Sequence, residues 1–417
     1  MAKTITPLDA CALMNAIYAQ ATGKSPLANI TTDDFVSVGE TVLSTGIENT
    51  INALTIVFGK TIVAVRPYSA KITLIQEENT GLYSNRIRKI SFYDKGCKEA
   101  AWVNTDQHAR NLYNGYDNNA QGTAPNDSLP SMWEQDKPVA IEFHFGGSDV
   151  YDFCLTLYRD QLKQAFTSEA EFANFWNGTM VAKQNEIEQM KEEKNRLTLQ
   201  NYMAGLYDMN MAIDLVAAFN ARFNTTYTGD DLRQTHYKEF LAFFVATVKK
   251  YSNYFEERSA LYHWNPSVTR DGVTYSHIMR HTPKADQKLM LLEDFFIESE
   301  AFVLPEIFHD GLLRLENYEG VGFWQSNDPA ARASLKITPA IPDTNNPAQQ
   351  TTGTAVSLDH VLGVLFDRDA CLTNYQFDGA DSTPLEARKK YQNVWTHVMF
   401  NSINDFTENG ILFYMAS

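Results

Sequence analysis

Two histidines at a short spacing are the first candidates for chemistry in this chain. His277 and His281 lie four residues apart, a spacing at which two histidines on a helix can bind zinc. The segment HIMRH lacks the glutamate that follows the first histidine in zinc peptidase helices, and no third ligand stands out nearby. The pair is therefore a weak candidate for a metal site.

Two aspartates, Asp367 and Asp369, follow a predicted strand in the segment FDRD. Because alternate residues of a strand lie on the same side of a sheet, the two carboxylates could face one way and act as an acid–base pair of a glycosidase. A solvated turn explains the same residues and is the favoured interpretation. A glycosidase-type hydrolase stays open as an alternative.

Other reactive residues do not form a pattern that indicates catalysis. Cys154 and His144 are ten residues apart, and nothing marks them as a nucleophile with its base. Phosphate-binding and nucleophile-elbow motifs are absent from the sequence. We therefore predict a protein that is not an enzyme, with no catalytic, cofactor-binding or metal-binding residues and no cofactor.

The segment NDFTENG near the C-terminus carries two further acids, Asp405 and Glu408. Their simplest interpretation is that both residues form a turn, with Asn409 and Gly410 in a backbone conformation of positive φ.

Composition narrows the class of protein. The chain has 417 residues, 44% of them hydrophobic, which is enough for real cores in two or three domains. The net charge of −16 disfavours a protein that grips nucleic acid, because such proteins carry a basic surface. We expect no signal peptide and no membrane span. The scattered cysteines indicate a reducing compartment rather than a disulfide framework.

The longest predicted element is a helix over residues 168–208, and it must position much of the rest. Ser168 followed by Glu171 predicts a capping box at its start. An apolar stripe runs along one side, and Glu192 with Arg196 has the favourable i,i+4 offset; the stripe consists of Met180, Ile187, Met190 and Leu197. So narrow a stripe predicts a rod that lies across a sheet and stays wet on most sides, or an ordinary surface helix or coiled-coil arm.

Residues 68–137 are poor in core residues and rich in Gly, Asn, Asp and Ser. A segment of this length cannot bury much of itself, so it either needs a neighbouring subunit or is a mobile surface insertion. A basic cluster within it is the candidate for contacts between subunits: Arg86, Arg88, Lys89, Lys95 and Lys98.

The remaining elements are predicted from local patterns. Helices are expected over about 6–23, 47–58, 211–223, 236–257 and 301–311, and a helix that Ser148 opens, which carries Phe153, Leu157 and Leu162. Strands are expected at 61–65, 72–75, 90–93, 139–145, 360–366, 392–402 and 410–415. Residues 281–292 are expected to form a turn that leads into a strand, and 325–357 an exposed loop or hairpin.

The C-terminal sequence resembles the end of a known family. VLGVLFDRDACLTNYQ and TPLEARKKYQNVWTHVMFNSINDFTENGILFYM are similar to the major capsid proteins of tailed bacteriophages, in the short-tailed and gut-phage group with the HK97-like fold. HTPKADQKLMLL and LKITPAIPD resemble the middle of that family. The resemblance is good over residues 280–415, depends on segment order over 139–208, and is weak before residue 68.

The resemblance implies an α+β, HK97-like capsid fold. An N-terminal arm with the first helices would span 1–67, and an extended loop would span 68–137. A peripheral strand and a spine helix on a peripheral β-sheet would span 138–208. An axial domain with an exposed loop over 325–357 would span 209–400, and a C-terminal strand that returns to the sheet would span 401–417.

The resemblance also implies a function. The chain would self-assemble as hexamers and pentamers into the icosahedral head of a tailed phage. The head would enclose double-stranded DNA and contact it only weakly. Its partners would be a separate scaffolding protein, a portal protein and decoration proteins, with assembly in the host cytoplasm and a final place in the virion. An encapsulin-like compartment without a genome and a monomeric binding module are the alternatives besides the hydrolase.

Overall fold

The computed structural model describes residues 7–27, 34–45, 50, 53, 76–77, 86–94, 138–146, 149–270, 273–295, 297, 318–343 and 349–416. The helices are α1 Pro7–Thr22, α2 Phe35–Ser44, α3 Arg159–Ala165, α4 Glu169–Asp208, α5 Leu215–Phe223, α6 Gly229–Gln234 and α7 Tyr237–Glu256, with a 3-10 turn at Lys284–Asp286. The predicted elements at 47–58, 61–65, 72–75 and 301–311 lie largely or wholly outside the described residues.

The strands follow in chain order: β1 Gln76–Glu77, β2 Arg86–Phe92, β3 Ala140–Gly146, β4 Asp149–Tyr158, β5 Ala212–Asp214, β6 Val268–Arg270, β7 Val273–Tyr275, β8 Gln287–Leu292, β9 Tyr318–Val321, β10 Leu335–Ile337, β11 Ala340–Pro342, β12 Gln350–Thr352, β13 Val356–Leu358, β14 Val361–Asp367, β15 Cys371–Ser382, β16 Tyr391–Asn404 and β17 Gly410–Tyr414.

Two larger sheets form the body of the described chain. One has the strand order β1-β15-β16-β4, and the other has the order β5-β17-β14-β8-β9. Residues 371–400, which the sequence expectation places in an axial domain, supply β15 and most of β16 in the first sheet. The region 325–357 forms two nested antiparallel pairs, β10 with β13 and β11 with β12, as the hairpin prediction anticipates.

The long helix α4 confirms the predicted rod, and its 40 residues span about 60 Å at ~1.5 Å per residue. Its start is capped by Ser168, whose hydroxyl accepts a hydrogen bond from the Glu171 N–H at 3.2 Å. The Glu192–Arg196 ion pair is present, with 2.8 Å between the charged atoms.

The prediction of a narrow apolar stripe on α4 is wrong in its second half. Leu197 is 48% exposed, whereas the helix from Leu199 to Leu206 is buried on several sides. On one side, Tyr202 packs against Phe366 and Phe406. On the other, the Asn201 amide bonds the backbone of Ala340 in the hairpin region. Because the sheet and the hairpin together enclose this part of the helix, most of its sides are shielded from solvent.

The helix predicted to open at Ser148 is also wrong, because residues 149–158 form β4 instead. Alternate side chains of β4 are exposed, and all ten of its residues pair antiparallel with β16. The helix begins only at Arg159, as α3. The partner strand lies more than 230 residues further along the chain, where no local pattern could indicate it.

Three apolar clusters stabilise the described residues. The largest joins the second half of α4 to α5, α7 and the sheet around β14. A second joins α1, α2, α3 and the first turns of α4 with Leu157 and Val394. The third is small and lies under β2 and β3, where Tyr93, Val139, Ile141 and Phe143 pack on Ile278. None of the helices within the described residues is both long and apolar enough to cross a bilayer.

Candidate functional site

The predicted carboxylate pair separates in the structure. Asp367 is buried and accepts hydrogen bonds from the Thr282 hydroxyl at 2.7 Å and from the Asp369 N–H at 2.9 Å. Asp369 lies in the turn after β14 and is exposed. Burial raises the pKa of the Asp367 carboxyl. The solvated-turn prediction is therefore wrong for Asp367, whose carboxylate closes a turn inside the protein.

The other candidates for chemistry do not come together either. His277 lies outside any helix, and its Nδ1 is 3.3 Å from the Ser276 hydroxyl. Cys154 is exposed on the outer side of β4, and the side chain of His144 lies outside the described residues. Within the described ranges, no group of three or more His, Cys, Asp or Glu side chains could hold a metal ion.

The segment after β16 forms the turn that the sequence predicts, with a different backbone. Asp405 accepts hydrogen bonds from the Thr407 N–H at 2.9 Å and from its hydroxyl at 2.6 Å. Asn409 and Gly410 do not have positive φ, so that part of the prediction is wrong. The turn is stabilised by buried side-chain contacts instead, among them the Asn409 amide on the Thr282 hydroxyl at 3.1 Å.

The basic cluster is only partly within the described residues. Lys89 on β2 contacts the carboxylates of Asp405 and Glu408 in its own chain. The side chains of Arg86 and Arg88, and all of Lys95 and Lys98, lie outside the described residues. Their role in contacts between subunits stays a prediction.

Strands β2 and β3 pair antiparallel along their full length and form a two-stranded ribbon. Its inner side carries Lys89, Ser91 and Tyr93 toward the body of the chain, and its outer side carries Ile90 and Phe92, which are 48% and 58% exposed. Two large apolar side chains are therefore neighbours on one exposed face of this strand.

A buried lysine that the sequence patterns do not reveal lies between α4 and the first sheet. Lys183 is 4% exposed, and its ammonium donates a hydrogen bond to the Thr396 hydroxyl on β16. Burial lowers its pKa from 10.5 to about 8, since a charged ammonium loses its hydration there. The sequence around it, MVAKQNE, does not predict that this lysine is buried, because a lysine in a polar helical segment is expected to face the solvent.

We expect Lys183→Met to raise the free energy of unfolding at pH 7 by about 2–3 kcal/mol. The lowered pKa corresponds to about 3.5 kcal/mol at ~1.4 kcal/mol per unit, and loss of the hydrogen bond to Thr396 offsets about 1 kcal/mol of it. Below pH 8 the lysine is charged in both states, and only the folded state loses hydration of the charge. Between pH 8 and 10.5 the folded state is neutral while the unfolded state is still protonated, so wild-type stability rises with pH. Denaturant unfolding across this range checks the sign.

Lys336→Met is the control for Lys183→Met, because its ammonium is exposed and 3.4 Å from the exposed Asp359. It should change stability by less than ~0.5 kcal/mol. The difference in free energy of unfolding between Lys183→Met and wild type should become smaller toward pH 10. An advantage that is independent of pH would contradict a buried charge as its cause.

Comparison with known proteins gives a fold. No protein family model matches the chain, and no curated protein sequence matches it. A chain in the capsid structure of Staphylococcus phage Andhra matches 85% of this chain and 86% of its own length, with a TM-score of 0.52 and 11% identity. This chain has a phage capsid fold. The match confirms the predicted α+β, HK97-like class of fold.

Weaker matches are found to two further phages. A chain in the structure of the head fiber and inner core protein gp22 of bacteriophage P68 matches with a TM-score of 0.48 and 11% identity over 84% of this chain and 86% of that one. A chain in the capsid structure of cyanophage P-SCSP1u matches with a TM-score of 0.41 and 10% identity over 85% and 90%.

Proposed function

We propose that this chain is the major capsid protein of a tailed phage, assembling as hexamers and pentamers into an icosahedral head around double-stranded DNA. The observation that carries the proposal is the shared fold with the Andhra capsid chain over 85% of the sequence. In this proposal the protein is structural and not an enzyme, and its principal partner is itself. Its place is the virion, after assembly in the host cytoplasm.

The division of the chain and the further partners are part of the same proposal. Residues 1–67 serve as arm and first helices, 68–137 as the extended loop, 138–208 as peripheral strand and spine helix, 209–400 as axial domain and 401–417 as returning strand. A separate scaffolding protein, a portal protein and decoration proteins complete the particle. The net charge of −16 supports weak contact with packaged DNA, because strong phosphate binding would hinder its movement.

Neither alternative is supported by a specific contact. A glycosidase needs carboxylates that reach a substrate, whereas Asp367 is buried and bonded to Thr282 and Asp369. An encapsulin-like compartment shares the general fold and would differ in its contents. The compartment and a monomeric binding module are outcomes of the experiment that follows.

Electron microscopy of the purified protein, alone and co-expressed with candidate scaffolding protein, tests the function. We expect rings or closed shells, and absorbance at 260 and 280 nm that reports nucleic acid in particles from infected cells. A protein that stays monomeric under all scaffolding and salt conditions would contradict the proposal. Closed shells that never contain nucleic acid would favour the compartment.

The outer side of the ribbon is the proposed contact with a neighbouring subunit, together with Arg86, Arg88, Lys95 and Lys98. We expect Phe92→Ser to reduce assembly about tenfold at fixed protein concentration, the equivalent of ~1.4 kcal/mol. The stability of the free subunit should change by less than ~0.5 kcal/mol, because Phe92 is 58% exposed. Light scattering during assembly and denaturant unfolding of the free subunit measure the two effects.

Phe223→Ser is the matched control, since Phe223 is 54% exposed at the end of α5, which is not part of the ribbon. Its assembly should stay within about twofold of wild type. Equal assembly by the Phe92→Ser protein and wild type would show that the ribbon's outer side is not a subunit contact.

A further inference from the structure

Charged and polar side chains help to fasten the ribbon of β2 and β3 to the body of the chain. Its apolar support is the small cluster around Ile278. Its base is further held by the Tyr93 hydroxyl, which donates to the Pro266 carbonyl at 2.9 Å, and by the Asp94 N–H, which donates to the His277 carbonyl at 3.0 Å. Residues 95–137, within the proposed extended loop, connect the two strands of this ribbon.

Lys89 provides the central contact between ribbon and body. Its ammonium lies between the carboxylates of Asp405 and Glu408, and it is 3.3 Å from the Thr407 hydroxyl. The side chains are 24% exposed for Lys89, 2% for Asp405 and 14% for Glu408. The Coulomb attraction between charges this well shielded from water is stronger than at the surface. Burial also costs Glu408 hydration, which raises the pKa of its carboxyl.

Arg280 completes the cluster from a third segment of the chain. Its guanidinium donates to the Ser91 hydroxyl on β2 at 2.6 Å and to the Thr407 carbonyl at 3.1 Å. It also lies 3.5 Å from the second oxygen of Glu408. Two cations therefore balance two carboxylates, and both β2 and the turn after β16 are held by the same group of charges.

The turn that receives Lys89 is itself fixed in the core. Asp405 is bonded to Thr407, and Phe406 is fully buried with its ring 5.3 Å from that of Tyr202 on α4. The ribbon is thus attached to one of the most firmly packed points of the described chain. If Lys89 were removed, Asp405 and Glu408 would remain buried without their ammonium partner, and leaving a buried charge unpaired in this way is strongly destabilising.

We propose that Lys89, Arg280, Asp405 and Glu408 form a latch that sets the direction of the β2–β3 ribbon in the free subunit, before a second copy contacts its outer side. The claim that this latch favours assembly of the subunits rests on the proposed function. A ribbon already held in its bound direction loses less conformational entropy when the neighbour binds, so association is favoured. The latch holds the inner side while Ile90 and Phe92 stay available on the outer side.

Hydrogen exchange of the full-length, unassembled subunit tests the latch directly. In Lys89→Met we expect the amides of residues 140–146 to exchange at least tenfold faster than in wild type, while those of β14 keep their protection. Lys284→Met is the matched control, because its exposed ammonium pairs with the exposed Glu256 and neither residue belongs to the proposed latch, and it should leave both regions unchanged. Unchanged exchange in the ribbon of Lys89→Met would overturn the proposal.

A second set of variants covers the case in which Lys89→Met destabilises the whole chain. Lys89→Met combined with Glu408→Gln removes one of the stranded carboxylates, and Glu408→Gln alone completes a double-mutant cycle. The ribbon should exchange faster in each variant, and less than additively in the double variant. Loss of protection that is equal in the ribbon and in β14 for every variant would overturn the latch, because the cluster would then serve the whole fold alike.

Assembly gives an independent readout that separates the latch from the proposed function. We expect shell formation by Lys89→Met to be slowed about tenfold and that by Lys284→Met to match wild type. If wild type forms no shells at all, the proposed function fails while the exchange experiment still decides on the latch. If the ribbon is loosened but assembly is unaffected, the role of the latch in assembly is disproved.

Discussion

Tyr202→Ala is expected to lower the free energy of unfolding by about 3–5 kcal/mol, the range for deleting a large aromatic side chain from a core. Tyr202 is fully buried, and its ring lies 5.3 Å from Phe406 and 5.7 Å from Phe366. It joins the long helix α4 to β14 and to the turn that anchors the ribbon. Denaturant unfolding monitored by circular dichroism measures the loss, and a loss below ~1 kcal/mol would show that this half of α4 is not docked as described.

Tyr202→Phe is the matched control for that prediction. The Tyr202 hydroxyl has no hydrogen-bond partner within the described residues, and burial raises its pKa well above the usual value. An unpartnered buried hydroxyl costs about 1–3 kcal/mol, so its removal should leave stability unchanged or raise it. A loss in Tyr202→Phe as large as that in Tyr202→Ala would mean that the hydroxyl, not the ring, stabilises the site.

Ile187→Asp is expected to cost roughly 2–4 kcal/mol, through lost apolar burial and the desolvation of a carboxylate. Ile187 is 6% exposed on the first half of α4, and α4 contacts strands β4, β15 and β16 of the first sheet. The same variant should assemble poorly, because a displaced helix changes the shape of the subunit. Thermal unfolding and light scattering report the two effects.

Leu197→Asp provides the contrast on the same helix. Leu197 belongs to the same predicted stripe as Ile187 but is 48% exposed, so its replacement should change stability by less than ~0.5 kcal/mol. If both variants unfold like wild type, α4 is not docked on the sheet. If both lose several kcal/mol, Leu197 is buried in solution and the stripe predicted from its spacing is correct after all.

Elements with strong local signals were predictable from the sequence. Three local signals each lie within a few residues of the element that they predict. They are the cap at Ser168, the run of apolar residues at 361–366 and the turn before Gln287. The segment 149–158 shows the limit of such signals. Phe153 and Leu157 are four residues apart, as on a helix, but the alternation of exposed and half-buried residues follows from pairing with β16.

The contacts of the candidate site were less predictable than its elements. Asp405 and Glu408 predicted a turn. A basic segment that contacts acidic groups was predicted from the cluster of Arg86, Arg88, Lys89, Lys95 and Lys98. Nothing in either pattern says that Lys89 meets those two acids within its own chain, 316 and 319 residues away.

By itself the sequence determined that this chain has a long capped helix, buried strands near its C-terminus and a polar segment too poor in apolar residues to form a core. Those properties depend on backbone preference and on the spacing of apolar residues, which act between near neighbours in the chain. Tertiary structure alone decided that α4 is enclosed from Leu199 onward, that Lys183 is buried, and that Lys89 fastens the ribbon. These outcomes depend on residues hundreds of positions apart, and such contacts leave no period in the sequence.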